Sequence, residues 1–443
     1  MLKNIHNRAA ITIPEKNIGE ITFPDVQNGG LEYNPPSRGA WNIVHIGMLI
    51  PKAHQIYFCA QGCLRGVVQT TAEMNAADRL SWAYLCDEDY AEGSMEQNII
   101  DSMTAVIRLM QEKPPCILMF LSCMHLFAGV DFGMIIDELS AAFPQIEFVD
   151  CYMTPTMRKS GLTPDMMMYR QLYRPLKKTA LNEKSINIIG NNQSTLESSE
   201  LLPILKNAGF LIRDITYCKT YAEYLKMAES SVNITYLPIA AAAGADLEER
   251  LGQKHLYLPL CYGFDEIREN YEKLCHCLDI DTPNLSEYFA NAEKALTAAQ
   301  EKVGNIAVAI DASATPRLLG LCRLLLEYGF NVTKVYTDGF SSEEKEDFFW
   351  LEKNAPQLKV CPIGNVSMRF ASGEDNSGKI LAVGQKAAYF CGTDNFVNII
   401  NGGELYGFGG IVKLCELLED AIDKPKDRRT VIQMKGIGCE SCL

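Results

Sequence analysis

Short apolar runs ending in a small residue or a cysteine, each followed by a helical pattern, recur along this chain and leave few folds open to it. Residues 54–58, 82–86, 116–123 and 146–150 read as strands, with helices expected over 67–80, 95–111 and 132–143. Residues 42–49 suit either a strand or a short helix, and 124–131 read as a loop. The alternation restarts with strands at 185–190, 211–217 and 233–237, and again at 306–310, 331–336, 358–362, 380–383 and 388–391. Strands alternating with helices need crossover connections, which implies parallel sheets with helices on both faces. A chain of 443 residues also exceeds one ordinary core. The expected organisation is an N-terminal arm over 1–40 and three α/β units over 41–175, 176–303 and 304–443. The arm is rich in Pro, Gly and Asn and reads as lying over a neighbouring surface. The Met-, Pro- and Arg-rich stretch 153–175 reads as a linker.

Charge and composition exclude several functions. A net charge of −14 argues against a nucleic-acid groove, which needs clustered Lys and Arg. The first residues lack the apolar core of a signal peptide, and no apolar run reaches membrane-spanning length. A cytoplasmic protein is expected. Sixteen cysteines in such a setting are reduced thiols rather than a disulfide framework, and the count suits a low-oxygen habitat.

The stretch Phe58-Cys59-Ala60-Gln61-Gly62-Cys63-Leu64-Arg65-Gly66 places two cysteines four positions apart, in what reads as a glycine-bearing loop between strand and helix. A third cysteine, Cys123, ends the run 116–123; Cys86 and Cys151 end two neighbouring strands. Taken alone, the pair Cys59 and Cys63 suits redox chemistry, zinc or core packing, and buried packing is the default for most of the cysteines. Cys275-His276-Cys277 falls inside a helix, where the three side chains point apart. Cys439 and Cys442 form a lone C-x-x-C with no second pair at metal-site spacing. Neither G-x-G-x-x-G nor G-x-x-x-x-G-K-[ST] occurs, so ATP binding by this chain is not expected. Gly407-Phe408-Gly409-Gly410 opens a helix and suits close backbone approach there.

In their order these features resemble the nitrogenase component 1 family, which includes the protochlorophyllide and chlorophyllide reductases and cofactor-scaffold proteins. Ala60-Gln61-Gly62-Cys63 resembles the family's small-x-Gly-Cys loop. Asp87-Glu88-Asp89, followed by Gly93, resembles its acidic segment, and Ser122-Cys123 through Gly129-Val130-Asp131 its Thr-x-Cys loop. Leu247 to Gly252 with Cys261-Tyr262-Gly263 looks like its second domain, and Tyr406-Gly407-Phe408-Gly409-Gly410 like its last helix start. The family's earlier Gly-Cys-x-x-x-Gly cysteine is missing: Gly39-Ala40-Trp41 stands in its place. No Cys stands near Tyr236, and no His near 396–399, where nitrogenase holds its catalytic metal cluster.

The resemblance implies three Rossmann-like domains. It also implies a [4Fe–4S] or larger cluster shared at a subunit interface, with Cys59, Cys63 and Cys123 as ligands and Cys86 and Cys151 as lesser candidates. The implied partners are a homologous component 1 subunit in a homo- or hetero-oligomer, a P-loop ATP-dependent iron protein, and a small-molecule substrate. The implied function is an iron–sulfur oxidoreductase that does not reduce dinitrogen. The alternatives are a metal-cluster assembly scaffold and a homodimeric reductase binding substrate between its domains.

Overall fold

The computed structural model describes residues 13–24, 26, 31–37, 39–154, 161–371 and 379–432. Cys439 and Cys442 lie outside them. The chain forms two compact units: one holds residues 41–194 and 205–259, and the other holds 195–204 and 260–441 with the N-terminal residues up to 40.

Strands are numbered along the chain, from β1 (Lys16–Asn17) in the second of these units. In the first unit, β2 (His54–Cys59), β3 (Leu80–Tyr84), β4 (Cys116–Ser122) and β5 (Glu147–Met153) form an all-parallel sheet in the order β3-β2-β4-β5. Every residue of β2 and β4 is buried, as expected of inner strands covered on both faces. The edge strand β3 alternates instead and leaves Trp82 and Tyr84 exposed. Helix Met95–Leu109 presents Met95, Ile99, Met103 and Ile107 to one face of the sheet, at the four-residue spacing that makes a buried stripe. Such burial is worth roughly 1.5–3 kcal/mol per side chain.

A second parallel sheet in the same unit comprises β6 (Asn182–Ile188), β7 (Leu211–Asp214), β8 (Ser230–Thr235) and β9 (Lys254–Tyr257), in the order β7-β6-β8-β9. One continuous core serves both sheets: Tyr57, Phe120 and Cys151 from the first join Ile189 and Ile215, which follow β6 and β7, and Leu247 from helix Ala241–Leu251. Helix Pro164–Gln171 and the residues after it supply Met168, Tyr169, Leu172 and Tyr173 to that core. The stretch 153–175 is therefore core-forming over its described part and not a linker. Met168, Tyr169 and Tyr173 lie buried between other elements, and a linker would leave them in water.

In the second unit, β10 (Ala307–Asp311), β11 (Val332–Tyr336), β12 (Lys359–Cys361), β13 (Ile380–Val383) and β14 (Phe396–Val397) form a parallel sheet in the order β12-β11-β10-β13-β14. β1 adds to it antiparallel, beside β12. The described part of the arm thus packs on its own chain: Ile18 is buried, and Phe23 meets Phe348 edge-on at 5.4 Å. Residues 385–391 are a helix rather than the expected strand at 388–391. Ala387, Ala388, Phe390 and Cys391 are buried on several sides of it, and such a short apolar run has no period to distinguish the two.

In each sheet the first parallel strand (β2, β6 or β10) is central, and the next (β3, β7 or β11) lies to one side of it; in the third sheet β12 extends that side before a crossover places β13 on the other, where β4 and β8 stand in the first two. The chain therefore reverses direction at a switch point above the carboxyl ends of β2/β4, β6/β8 and β10/β13. Such crevices are where doubly wound α/β sheets bind ligands. The class is α/β with three Rossmann-like sheets, parallel apart from the β1–β12 pair.

Candidate functional site

Two of the three switch points are filled by the chain's own side chains. Above β10, the buried Asp311 carboxylate accepts the N–H groups of Ser313 at 2.8 Å and Ala387 at 2.7 Å. A side chain at Gly384 (φ +101°) would collide with that carboxylate at 2.3 Å. Above β6, the loop 190–192 is tied to three tyrosines. The Gly190 N–H donates to Tyr173 at 3.2 Å, Asn191 donates to Tyr236 at 2.6 Å, and Asn192 donates to Tyr169.

The first switch point ends in thiols. Helix Gln61–Glu73 begins directly after β2, so Cys63 stands in its first turn and not in a loop; its backbone N–H closes that turn onto Ala60 at 2.9 Å. Gly62 and Gly66 hid this start, because glycine is a poor helix former. Cys123 opens the short helix Cys123–Ala128, where a loop was expected. Ser122 caps it with His125, and Gly129 (φ +71°) ends it. Ser122 as a cap and Gly129 as a helix end are the sequence signals of this helix. Cys86 precedes helix Asp87–Glu92 after β3, and its N–H donates to Asp89 at 2.8 Å. The acidic segment therefore caps a helix.

Exposure separates the cysteines. Cys63 and Cys86 are exposed, and Cys123 is half-buried. Cys59 and Cys151 are fully buried in the shared core. Burial, with Cys63 nearby, pushes the Cys59 thiol up to about 12, and burial pushes Cys151 well above its ordinary value. His125 is buried with Nδ1 3.1 Å from the Ser122 hydroxyl, where it serves as a capping group, and burial lowers its pKa. Among the described residues, no three His, Cys, Asp or Glu side chains are grouped so as to hold a single metal ion.

Near the thiols, exposed aromatic and apolar side chains stand among exposed charged residues such as Arg65 and Asp87. Phe127 is 67% exposed and Tyr84 51%, with Tyr90 and Met124 also exposed. A Cβ on Gly62 or Gly66 would meet no atom within 4 Å. The other singled-out features are structural. The glycines at 407–410 receive Glu200, whose carboxylate accepts the N–H groups of Phe408 at 2.6 Å and Gly409 at 2.9 Å. Cys275 is buried in helix Phe264–Leu278. A cavity of about 880 Å³ in the second unit is walled by acidic residues including Glu266 and Asp347, both paired with Arg317.

The family description "Nitrogenase component 1 type Oxidoreductase" matches residues 43–375, most of the chain. The chain belongs to that family. No curated protein matches it. A solved structure described as Nitrogenase Cp1 at pH 6.5 is 15% identical and superposes with a TM-score of 0.68 over 90% of this chain and 95% of that one. Nitrogenase Cp1 at pH 5 is 12% identical, with a TM-score of 0.59 over 90% of each chain. At such identities these likenesses concern the fold. This chain is thus a component 1 type oxidoreductase in family and fold. Among its described residues no helix is long and apolar enough to cross a membrane.

The donor set at the first switch point fits an iron–sulfur cluster better than a single ion. Such clusters take thiolates as soft ligands, and here Cys63 follows β2 in the first turn of its helix, while Cys86 and Cys123 follow β3 and β4 of the same sheet.

Proposed function

We propose that this chain is the component 1 subunit of a nitrogenase-like reductase and holds an iron–sulfur cluster at the carboxyl edge of its first sheet. Cys63 and Cys123 are the proposed ligands, with one further thiolate from Cys59 or Cys86 and the rest of the coordination from a homologous subunit. The carrying observation is that the first switch point presents accessible thiols, whereas the other two are closed by Asp311 and by the loop 190–192. Bound there, a cluster would store and release single electrons between a P-loop, ATP-dependent iron protein and a small-molecule substrate.

The chain's own residues supply the setting. The apolar side chains of Tyr84, Tyr90, Met124 and Phe127 offer a surface for the second subunit, since exposed apolar patches mark interaction sites. Gly62 and Gly66 let that subunit or the cluster approach the helix backbone closely. Dinitrogen is not the proposed substrate. At the places where nitrogenase ligates its catalytic cluster through Cys and His, this chain has Tyr236, buried with its hydroxyl held by Asn191, and the buried Phe396, Val397 and Ile399, which carry no ligating atom. The same feature suits a second reading, a scaffold on which a cluster is built and passed on.

Stopped-flow mixing of anaerobic protein with a P-loop iron protein tests the proposal. A reductase subunit should show ATP-dependent bleaching of cluster absorption. Iron loading without such bleaching favours the scaffold, and an iron-free protein from iron-replete anaerobic cells contradicts both readings.

A further inference from the structure

Resting on the cluster reading above, we propose that the third thiolate this chain offers is Cys86, and that Cys59 remains a packing residue. The sequence favours the opposite choice, because Cys59 lies only four positions before Cys63. The sheet reverses it.

Side chains alternate along a strand, so Cys59 shares its face of β2 with Tyr57. Tyr57 stacks on Phe120 with ring centroids 4.2 Å apart. Cys59 packs in that same core, as do Leu64 and Val67 of the following helix. It has no exposed surface. To reach a group in the crevice it would have to leave this core, and the helix carrying Cys63 would have to shift with it.

Cys86 is already at the edge. β3 pairs with β2 through Cys59↔Tyr84, and β4 pairs with β2 through Phe58↔Leu121. The β3 side continues one step further, where the Leu85 N–H donates to the Cys59 carbonyl at 3.1 Å. Extending the two ladders places Cys86 on one side of the segment Ala60-Gln61 and Cys123 on the other. Two strand spacings separate them, about 10 Å at the backbone. That is too wide for a disulfide, which needs Cα atoms within about 7 Å. It also suits no single ion, with metal–sulfur bonds of about 2.3 Å. A polynuclear cluster is several ångströms across and can bridge such a gap, with Cys63 reaching it from the intervening helix.

The Cys86 turn is also fixed in place. Asp89 accepts the Cys86 N–H at 2.8 Å, and its other oxygen accepts from Asn98 at 2.6 Å. Tyr84, Leu85 and Asp89 from this turn line one small cavity together with His125, two residues beyond Cys123. The Cys86 turn and the Cys123 helix therefore stand side by side over the end of β2.

Anaerobic full-length protein, with C59A, C63A, C86A and C123A variants, tests this by iron and acid-labile sulfide content. C86A should lose most of its iron, as C63A and C123A should, while C59A keeps it. If C86A keeps wild-type iron while C63A and C123A lose theirs, the inference is overturned and the cluster reading stands. An iron-free wild type overturns both. Differential alkylation with iodoacetamide, read by peptide mass spectrometry, covers the case in which C86A fails to fold. Wild-type Cys86 should be protected when the cluster is present and modified after iron chelation, with Cys59 unmodified in both states. Equal modification of Cys86 in the two states counts against the assignment.

Discussion

Gly66→Ala separates what the chain needs for its own stability from what it needs for assembly. Gly66 lies inside helix Gln61–Glu73, at an exposed position, and an added methyl group would touch nothing within 4 Å. Its φ is not positive, so the alanine incurs no backbone strain. Glycine in an exposed helix interior costs about 1 kcal/mol relative to alanine. The substitution should therefore stabilise the isolated chain by up to that amount, on the order of 2–4 °C in melting temperature for a domain of this size. If the face beside Cys63 docks a second subunit, the methyl group stands in the contact and association weakens. The assay pairs thermal unfolding of apo-protein with sedimentation analysis and iron content of anaerobic protein. A variant that melts higher but dissociates more readily fits the account. One that melts higher with assembly and iron content untouched would refute the reasoning that this glycine serves a partner.

Three further predictions concern the scaffold. Burial raises Asp214 from 3.8 to about 6, with one carboxylate oxygen unpartnered and the other held by Thr216. The folded protein thus keeps a proton that the unfolded chain has released. The stability this contributes is complete below pH 4 and is lost as pH rises through 6, a difference of about 3 kcal/mol. Asp214→Asn should flatten that decline in urea midpoints measured across the range, and an unchanged slope would count against it. Gly244→Ala would place a Cβ 2.2 Å from the His255 ring and should destabilise the first unit by roughly 1–3 kcal/mol; unchanged melting would show that the ring can move aside. Glu200→Ala leaves the buried N–H groups of Phe408 and Gly409 without their acceptor and should cost about 1–3 kcal/mol, with faster hydrogen exchange at the start of that helix. Unaltered exchange there would contradict the capping role.

Much of the fold was legible because inner parallel strands announce themselves. The run 116–123 is apolar throughout, and β4 is buried throughout. The expected helix around Cys275-His276-Cys277 is Phe264–Leu278, legible because apolar positions recur there with helical spacing. The misreadings have local causes. Two glycines masked a helix that starts at Gln61. A six-residue helix at Cys123 is too short to show a period. Helix Pro164–Gln171 buries Met and Tyr side chains, but its neighbouring Pro and Arg residues read as loop. At the candidate site, the resemblance pointed to Cys63 and Cys123, which stand at helix starts beside the first switch point. Exposure was not legible. Cys59 and Cys86 each follow an apolar run, and only the pairing of β2 and β3 shows one facing the core and the other standing clear of the sheet. The likeness to component 1 proteins lay in the order of several weak motifs, and no single segment carried it.

The account turns on whether the carboxyl edge of the first sheet carries a cluster. Iron and acid-labile sulfide, quantified per chain in protein purified without oxygen and paired with a low-temperature electron paramagnetic resonance spectrum after reduction, tests this most directly. Comparable amounts of iron and sulfide are expected, with a cluster signal that C63A and C123A both abolish. Protein from iron-replete anaerobic cells that carries neither iron nor sulfide, or a signal that persists in both variants, would contradict it.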